Sequence, residues 1–205
     1  IFFFCISCSN KKSEYFVFLH TNPDKPIISL DSIKTLQELH LKNIGQLYDE
    51  KKLIAAGPFE GGGGVFVILA NSESQVKSYL SSDPAIKAER FRIEICPIKP
   101  IKGKICVVDS VYQLEKLKFL RFIPSPEAYN RTVNLNYKKD TDEFSGNSLF
   151  EADVMNSNEK IMIFEPLNEE LFDRQLERVK QSGNNIYNIW NKNIWIAKET
   201  FCDYN

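Results

Sequence analysis

His40 and Asp83 are the two residues whose types and surroundings suit chemistry best. His40 lies on a helically spaced stripe with Ile33, Leu36, Ile44 and Leu47. An imidazole among apolar neighbours needs a partner or a use. Asp83 stands directly before Pro84, at the end of a second amphipathic stretch. If the two meet, the carboxylate fixes one imidazole tautomer. The ring is then equipped to take and return a proton, which is general acid/base catalysis. Each residue also has a plainer use: His40 as a satisfied core histidine, and Asp83 as the cap of a turn that starts at Pro84. His20 closes a short apolar run and is a candidate for the pocket rim, together with Gly57 and Pro58.

Other chemistries find little support. The chain has two histidines and five cysteines, scattered at 5, 8, 96, 106 and 202. Cys5 and Cys8 look like a C-x-x-C pair but sit in the apolar leader, and the rest form no metal-ligand spacing. The run Gly61–Gly64 is followed by neither Lys-Ser/Thr nor a helix, so it is a hairpin tip and not a phosphate loop. The expected chemistry therefore uses no cofactor and no metal.

The elements that must position these residues can be read in order. Tyr15–Leu19 is an aromatic-rich strand bounded by Asn22-Pro23-Asp24. Asp31 or Ser32 can cap a helix from about Ile33 to Glu50. Leu53–Ala56 and Val65–Ala70 are strands joined by Gly57-Pro58 and the glycine run, close enough for a hairpin. Asn71 or Ser72 caps a second helix through Leu80, with Glu73 in its first turn. Phe91–Ile95 alternates as a fourth strand, and Pro97 and Pro100 are expected to end the unit. The order βαββαβ predicts an α+β, ferredoxin-like (split βαβ) fold.

The rest of the chain looks like a worn second copy. Laid over the first half without a gap, Leu53 falls on Leu149, Ala56 on Ala152, Val65 on Ile161, Glu73 on Glu169 and Leu80 on Leu176. Phe119–Ile123 echoes the first strand, Ile161–Phe164 is a strand, and Glu169–Gln181 a helix ended by Gly183. Ile186–Phe201 reads as a hairpin, and 129–146 shows no helical stripe. The expected division is a leader over 1–14, a first domain over 15–100 and a degenerate ferredoxin-like unit over 105–205.

Residues 1–14 read IFFFCISCSNKKSE. The apolar run stops abruptly after Cys8, as in a bacterial lipobox, although Cys5 stands where leucine is usual. Lipidation of Cys8 would place the domain on the bacterial cell envelope by a lipid anchor alone. The alternative is a buried first strand in a cytoplasmic protein. With 43% hydrophobic residues the chain can bury a core, and a net charge of −1 gives no field for nucleic acid. The expected partner is a small-molecule substrate.

HLKNIGQLYDEKKLIAAGPF, followed by GGVFVILANSESQVKSYLSSDPAIKAERFRIEICPI, resembles the YCII (YciI-like) family over about residues 15–100. The marks are a helical histidine (His40) ahead of an L-x-x-x-G-P turn (Gly57-Pro58), and Asp83-Pro84 after the second helix. The resemblance implies a ferredoxin-like fold of the dimeric α/β-barrel type. It also implies His40 and Asp83 as an acid/base pair acting on small molecules, ring compounds among them. Two tandem units would then form either an internal pseudo-dimer, running as a monomer, or part of a homodimer. Ala88-Glu89-Arg90 departs from the family, where a glycine often follows Asp-Pro. A non-catalytic envelope lipoprotein that binds or scaffolds is the competing expectation.

Overall fold

The computed structural model describes residues 12–109, 112–125, 144, 146–165, 168–182 and 187–202. Residues 1–11 of the expected leader, Cys8 among them, and most of 129–146 lie outside the described residues; the last two leader positions, Ser13 and Glu14, belong to the first strand.

The aromatic run at the start extends into β1 (Ser13–Thr21). Its alternation splits two environments. Phe16 and Phe18 enter one apolar cluster, while Tyr15, Val17 and Leu19 enter another. Helix α1 (Leu30–Asp49) begins three residues before the expected start, because Ser29 is the cap and its hydroxyl accepts from the Ser32 amide. The stripe is buried only in its second half, at His40, Asn43 and Leu47; Ile33 remains exposed. β2 (Leu53–Pro58) and β3 (Gly64–Ala70) form the expected hairpin. Its tip requires glycine: Gly61, Gly62 and Gly63 have φ of 88°, 108° and 76°, and a Cβ on Gly63 would lie 2.3 Å from the Leu19 carbonyl oxygen. α2 (Glu73–Leu80) is capped by Ser72, and α3 (Pro84–Lys87) by Asp83.

β4 (Phe91–Lys102) corrects the sequence reading, since it runs through both Pro97 and Pro100. Pro97 pairs with Tyr15 on β1 and its carbonyl accepts from the Met155 amide. Pro100 sits where the register against the next strand shifts, so the lost amide falls at an irregularity. The strand thereby leaves β1 and continues along the strand over Ser148–Val154.

Beyond β5 (Lys104–Ile105) the second half supplies β6 (Leu114–Pro124), β7 (Ser148–Val154), β8 (Lys160–Phe164), α4 (Glu169–Ser182), β9 (Tyr187–Ala197) and β10 (Phe201–Cys202). The expected terminal hairpin is absent. Asn191-Lys192-Asn193 is not a turn but mid-strand, paired with residues 118–120 of β6.

The eight long strands form one antiparallel sheet in the order β2-β3-β1-β4-β7-β8-β6-β9. The strands run β2-β3-β1-β4 in the first half and β7-β8-β6-β9 in the second, and the register shifts between Leu53 and Ala55 in β2 and between Ser148 and Phe150 in β7. The sheet closes on itself. Phe59 bridges to Ile194, and the Glu60 amide donates to the Asn193 carbonyl at 2.9 Å. Phe16, Phe18, Val67, Phe119, Phe150 and Ile194 fill the inside. α1 and α2 cover the outer face of the first half, and α4 that of the second.

One charged group is built into the inner layer. Arg121, 5% exposed, donates to both oxygens of Glu94 at 2.9 and 2.5 Å and to Glu159 at 2.6 Å. Its guanidinium lies over the Phe18 ring at 4.7 Å. It thus ties β6 to β4 and to the β7–β8 turn. Truncating one partner of a buried pair leaves charge without compensation and costs about 3–5 kcal/mol. Arg121→Ala is expected to lose stability of that order in urea unfolding at pH 5. The Arg121 hydrogen bonds hold the Glu94 carboxyl at about 2, against the opposing effect of burial. A depressed carboxyl contributes stability above its unfolded value near 4.5, and this contribution is lost as pH falls through about 2. The gap between wild type and Arg121→Ala should therefore narrow between pH 4.5 and 2. A constant gap would mean that the Glu94 charge is not what Arg121 stabilises.

Candidate functional site

α1 and the α2–α3 junction bring His40 and Asp83 together. His40 Nδ1 lies 2.7 Å from Asp83 Oδ2, with 7% and 0% exposure for the two residues. The other carboxylate oxygen, Oδ1, accepts the Ala85 and Ile86 amides at 2.8 and 3.1 Å. Asp83 therefore serves as cap and as partner at once, and its cap bonds fix where its second oxygen points. A carboxylate accepts, so the bonded Nδ1 carries a proton, and in the neutral ring Nε2 then holds the lone pair. No described residue takes Nε2. The ring is flanked by Phe66 and Phe91, with centroids at 5.9 and 5.8 Å.

One turn further along α1, Asn43 Nδ2 donates to Ser82 Oγ at 2.9 Å, a second tie between the same elements. Ser82 Oγ itself donates to the Tyr79 carbonyl, which fixes the amide's orientation. Asn43 Oδ1 is buried and has no partner among the described residues. The sequence reading missed this residue. Its signal was its helical spacing from His40, which puts both on one face.

The expected rim residues do not join the pair. His20 is on the even side of β1, with Phe16 and Phe18, and faces inward. There its Nε2 meets Glu94 at 2.9 Å, and its ring centroid is 6.0 Å from that of Trp190. Gly57 is on β2 at the closure of the sheet, where a Cβ would lie 2.5 Å from the Trp195 carbonyl oxygen, and Pro58 follows it on the exposed side. The period of two along a strand separates these residues from the helical face where His40 sits. Cys96 lies near Glu94 and Arg121, but burial pushes its thiol up to about 12, which removes it as a nucleophile.

A disulfide between Cys106 and Cys202 was also missed. The gapless overlay of the two halves places these two cysteines on one another, which is the signal that could have found it. β5 and β10 pair beside it, Phe201 against Ile105. Among the described residues no group of three or more His, Cys, Asp and Glu side chains could hold a metal. No described helix is long and apolar enough to cross a membrane.

Several clefts lie away from the pair, two of which border β1 or β2. One, of about 830 Å³, opens beside Glu14, Tyr15, Pro97, Lys99 and Lys104. The other, of about 260 Å³, lies between α1, β2 and the segment after β5. Neither His40 nor Asp83 lines either one.

No family model matches the chain, and no curated protein matches it. Its fold is similar to solved structures. A candidate monooxygenase of Fusobacterium nucleatum superposes with a TM-score of 0.51 at 11% identity, over 95% of this chain and 98% of that one. A candidate chlorite dismutase gives 0.50 at 7% identity, over 91% and 94%. An anthrone oxidase-like protein gives 0.50 at 7%, over 91% of each chain. The shared feature spans both halves of the sheet: a ferredoxin-like α+β architecture with one large antiparallel sheet.

The double role of Asp83 separates two variants. Asp83→Asn keeps an oxygen for the Ala85 and Ile86 amides and should fold with little loss. Asp83→Ala removes both the cap and the buried partner of His40, and should cost about 2–4 kcal/mol. Urea unfolding of the two variants checks this; equal losses would mean that the cap bonds contribute nothing measurable.

Proposed function

We propose that the chain is a small-molecule enzyme of acid/base type, YCII-like over residues 15–100, working through His40 and Asp83 without a cofactor. The observation that carries this reading is the contact of Asp83 Oδ2 with Nδ1 at 2.7 Å, which in the neutral ring fixes the tautomer and leaves Nε2 for the substrate. In this reading Nε2 takes a proton from the substrate and returns it to the product. Asp83 orients the ring and stabilises the imidazolium that forms between the two steps. The unfilled acceptor of Asn43, on the same helical face, suits a substrate N–H or O–H donor. The substrate class is a small organic molecule, ring compounds included. The monooxygenase, dismutase and oxidase names of the fold neighbours are compatible with a small-molecule enzyme and go no further.

In the same proposal, residues 105–205 are a second, degenerate ferredoxin-like unit, so that one chain imitates a dimer. Matching strand orders and matching bulges support this. The second half has no histidine, and Val179 and Lys180 stand where the overlay puts Asp83 and Pro84. It keeps the scaffold without the pair. The chain should then run as a monomer in size-exclusion chromatography.

The competing reading is a non-catalytic binding or structural lipoprotein of the bacterial envelope. The aromatic packing around His40 and the position of the two clefts favour it. Either reading can include lipidation at Cys8. The Cys106–Cys202 disulfide supports export to an oxidising compartment; a cytoplasmic location is the alternative.

A small-molecule binding screen on wild type, His40→Ala and Asp83→Asn tests the central reading. A turned-over ligand should keep binding to Asp83→Asn while turnover falls about 10²-fold or more. Full turnover by His40→Ala would remove the pair from the chemistry. Labelling with a fatty-acid analogue should mark the wild type and spare Cys8→Ala; equal labelling would reject the anchor.

A further inference from the structure

The cleft of about 260 Å³ between α1, β2 and the segment after β5 is a candidate binding site of its own. Its walls are apolar: Ile44, Leu53, Ile54, Ala56 and Val108. Two carboxylates, Asp49 and Asp109, stand on its edge, and neither has an ion pair among the described residues. The last turn of α1, which ends there, carries no basic residue, so nothing offsets the negative end of the helix dipole. Lys52, just beyond, pairs with Glu50 and lies over the Tyr79 ring. The far wall is held in place: Tyr48 donates its hydroxyl proton to the Val108 carbonyl, and Cys106 is bonded to Cys202.

A second observation points to the same opening. Gly45 sits inside α1 and lines the cleft, yet a Cβ there would meet nothing within 4 Å. Glycine in a helix interior weakens the helix relative to alanine. No backbone contact requires it here, and its effect is to leave the cleft open.

We propose that this cleft binds a small monocationic amphiphile, an amine bearing one ring or a short alkyl body. The body enters between Ile44 and Ala56, and the ammonium rests between Asp49 and Asp109. The site is separate from His40 and Asp83 and does not depend on their role.

The test titrates the full chain with 2-phenylethylamine, and with 2-phenylethanol as the neutral comparison, by amide chemical-shift mapping. The amine should perturb Gly45, Ala56 and Val108 and bind about fivefold tighter or more, as one partly exposed charge contact allows. The double variant Asp49→Asn/Asp109→Asn should bring the amine to the level of the alcohol. Gly45→Leu, which fills the opening, should abolish both while melting no lower than the wild type. Equal binding of amine and alcohol to the wild type would overturn the proposal. So would full amine preference in the double variant, perturbation centred elsewhere, or no shift with either compound.

Discussion

Closure of the eight-stranded sheet is the constraint on which the other features depend. An open sheet would leave β2 and β9 as free edges and half of its inner aromatic layer in water. Here Phe59 meets Ile194, and the Trp195 carbonyl approaches Gly57 so closely that no side chain fits between them. Closure turns the alternation of every strand into a division between inside and outside. The inner positions take phenylalanine, valine and isoleucine, with Arg121 as the single deeply buried charge described there, held by two carboxylates.

That division also sorts the chemistry. Of the groups that point inward, Cys96 is buried in the packed layer, and His20, half exposed, meets Glu94. Whatever sits under the helices is held by contacts between α1 and the loop after α2. His40 and Asp83 belong to the second group. Their geometry rests on short-range features: the helical register that faces His40 to the sheet, and the Asp-Pro cap that aims a carboxylate back at it. A site of this kind needs only one half of the sheet. The second half of the chain holds no histidine.

Much of this was legible because local rules and global fold agree. The apolar run of β1, the glycine tip, the caps at Ser72 and Asp83 and the α4 stripe each signal their element directly. The meeting of His40 with Asp83 was legible only through the family resemblance and the expected packing of two helices on one sheet face. What could not be read depends on partners remote in sequence. β4 passes through two prolines because its pairing changes from β1 to β7 at that point. Asn191-Lys192-Asn193 has the composition of a turn, yet it lies against β6 in an unbroken ladder. His20 was read as a rim residue because it closes the first strand, and the strand period places it with Phe18 on the inner side instead.

The account stands most directly on the protonation pattern of one ring. Nitrogen-15 NMR of the wild type, with the histidines labelled, distinguishes the two imidazole nitrogens of His40 from those of His20. The account predicts that His40 in its neutral form is a single tautomer, protonated at Nδ1 and bare at Nε2. The same measurement on Asp83→Ala should show that the tautomer is no longer fixed. A wild-type His40 protonated at Nε2 and bare at Nδ1, or a tautomer mixture unchanged by Asp83→Ala, would contradict it.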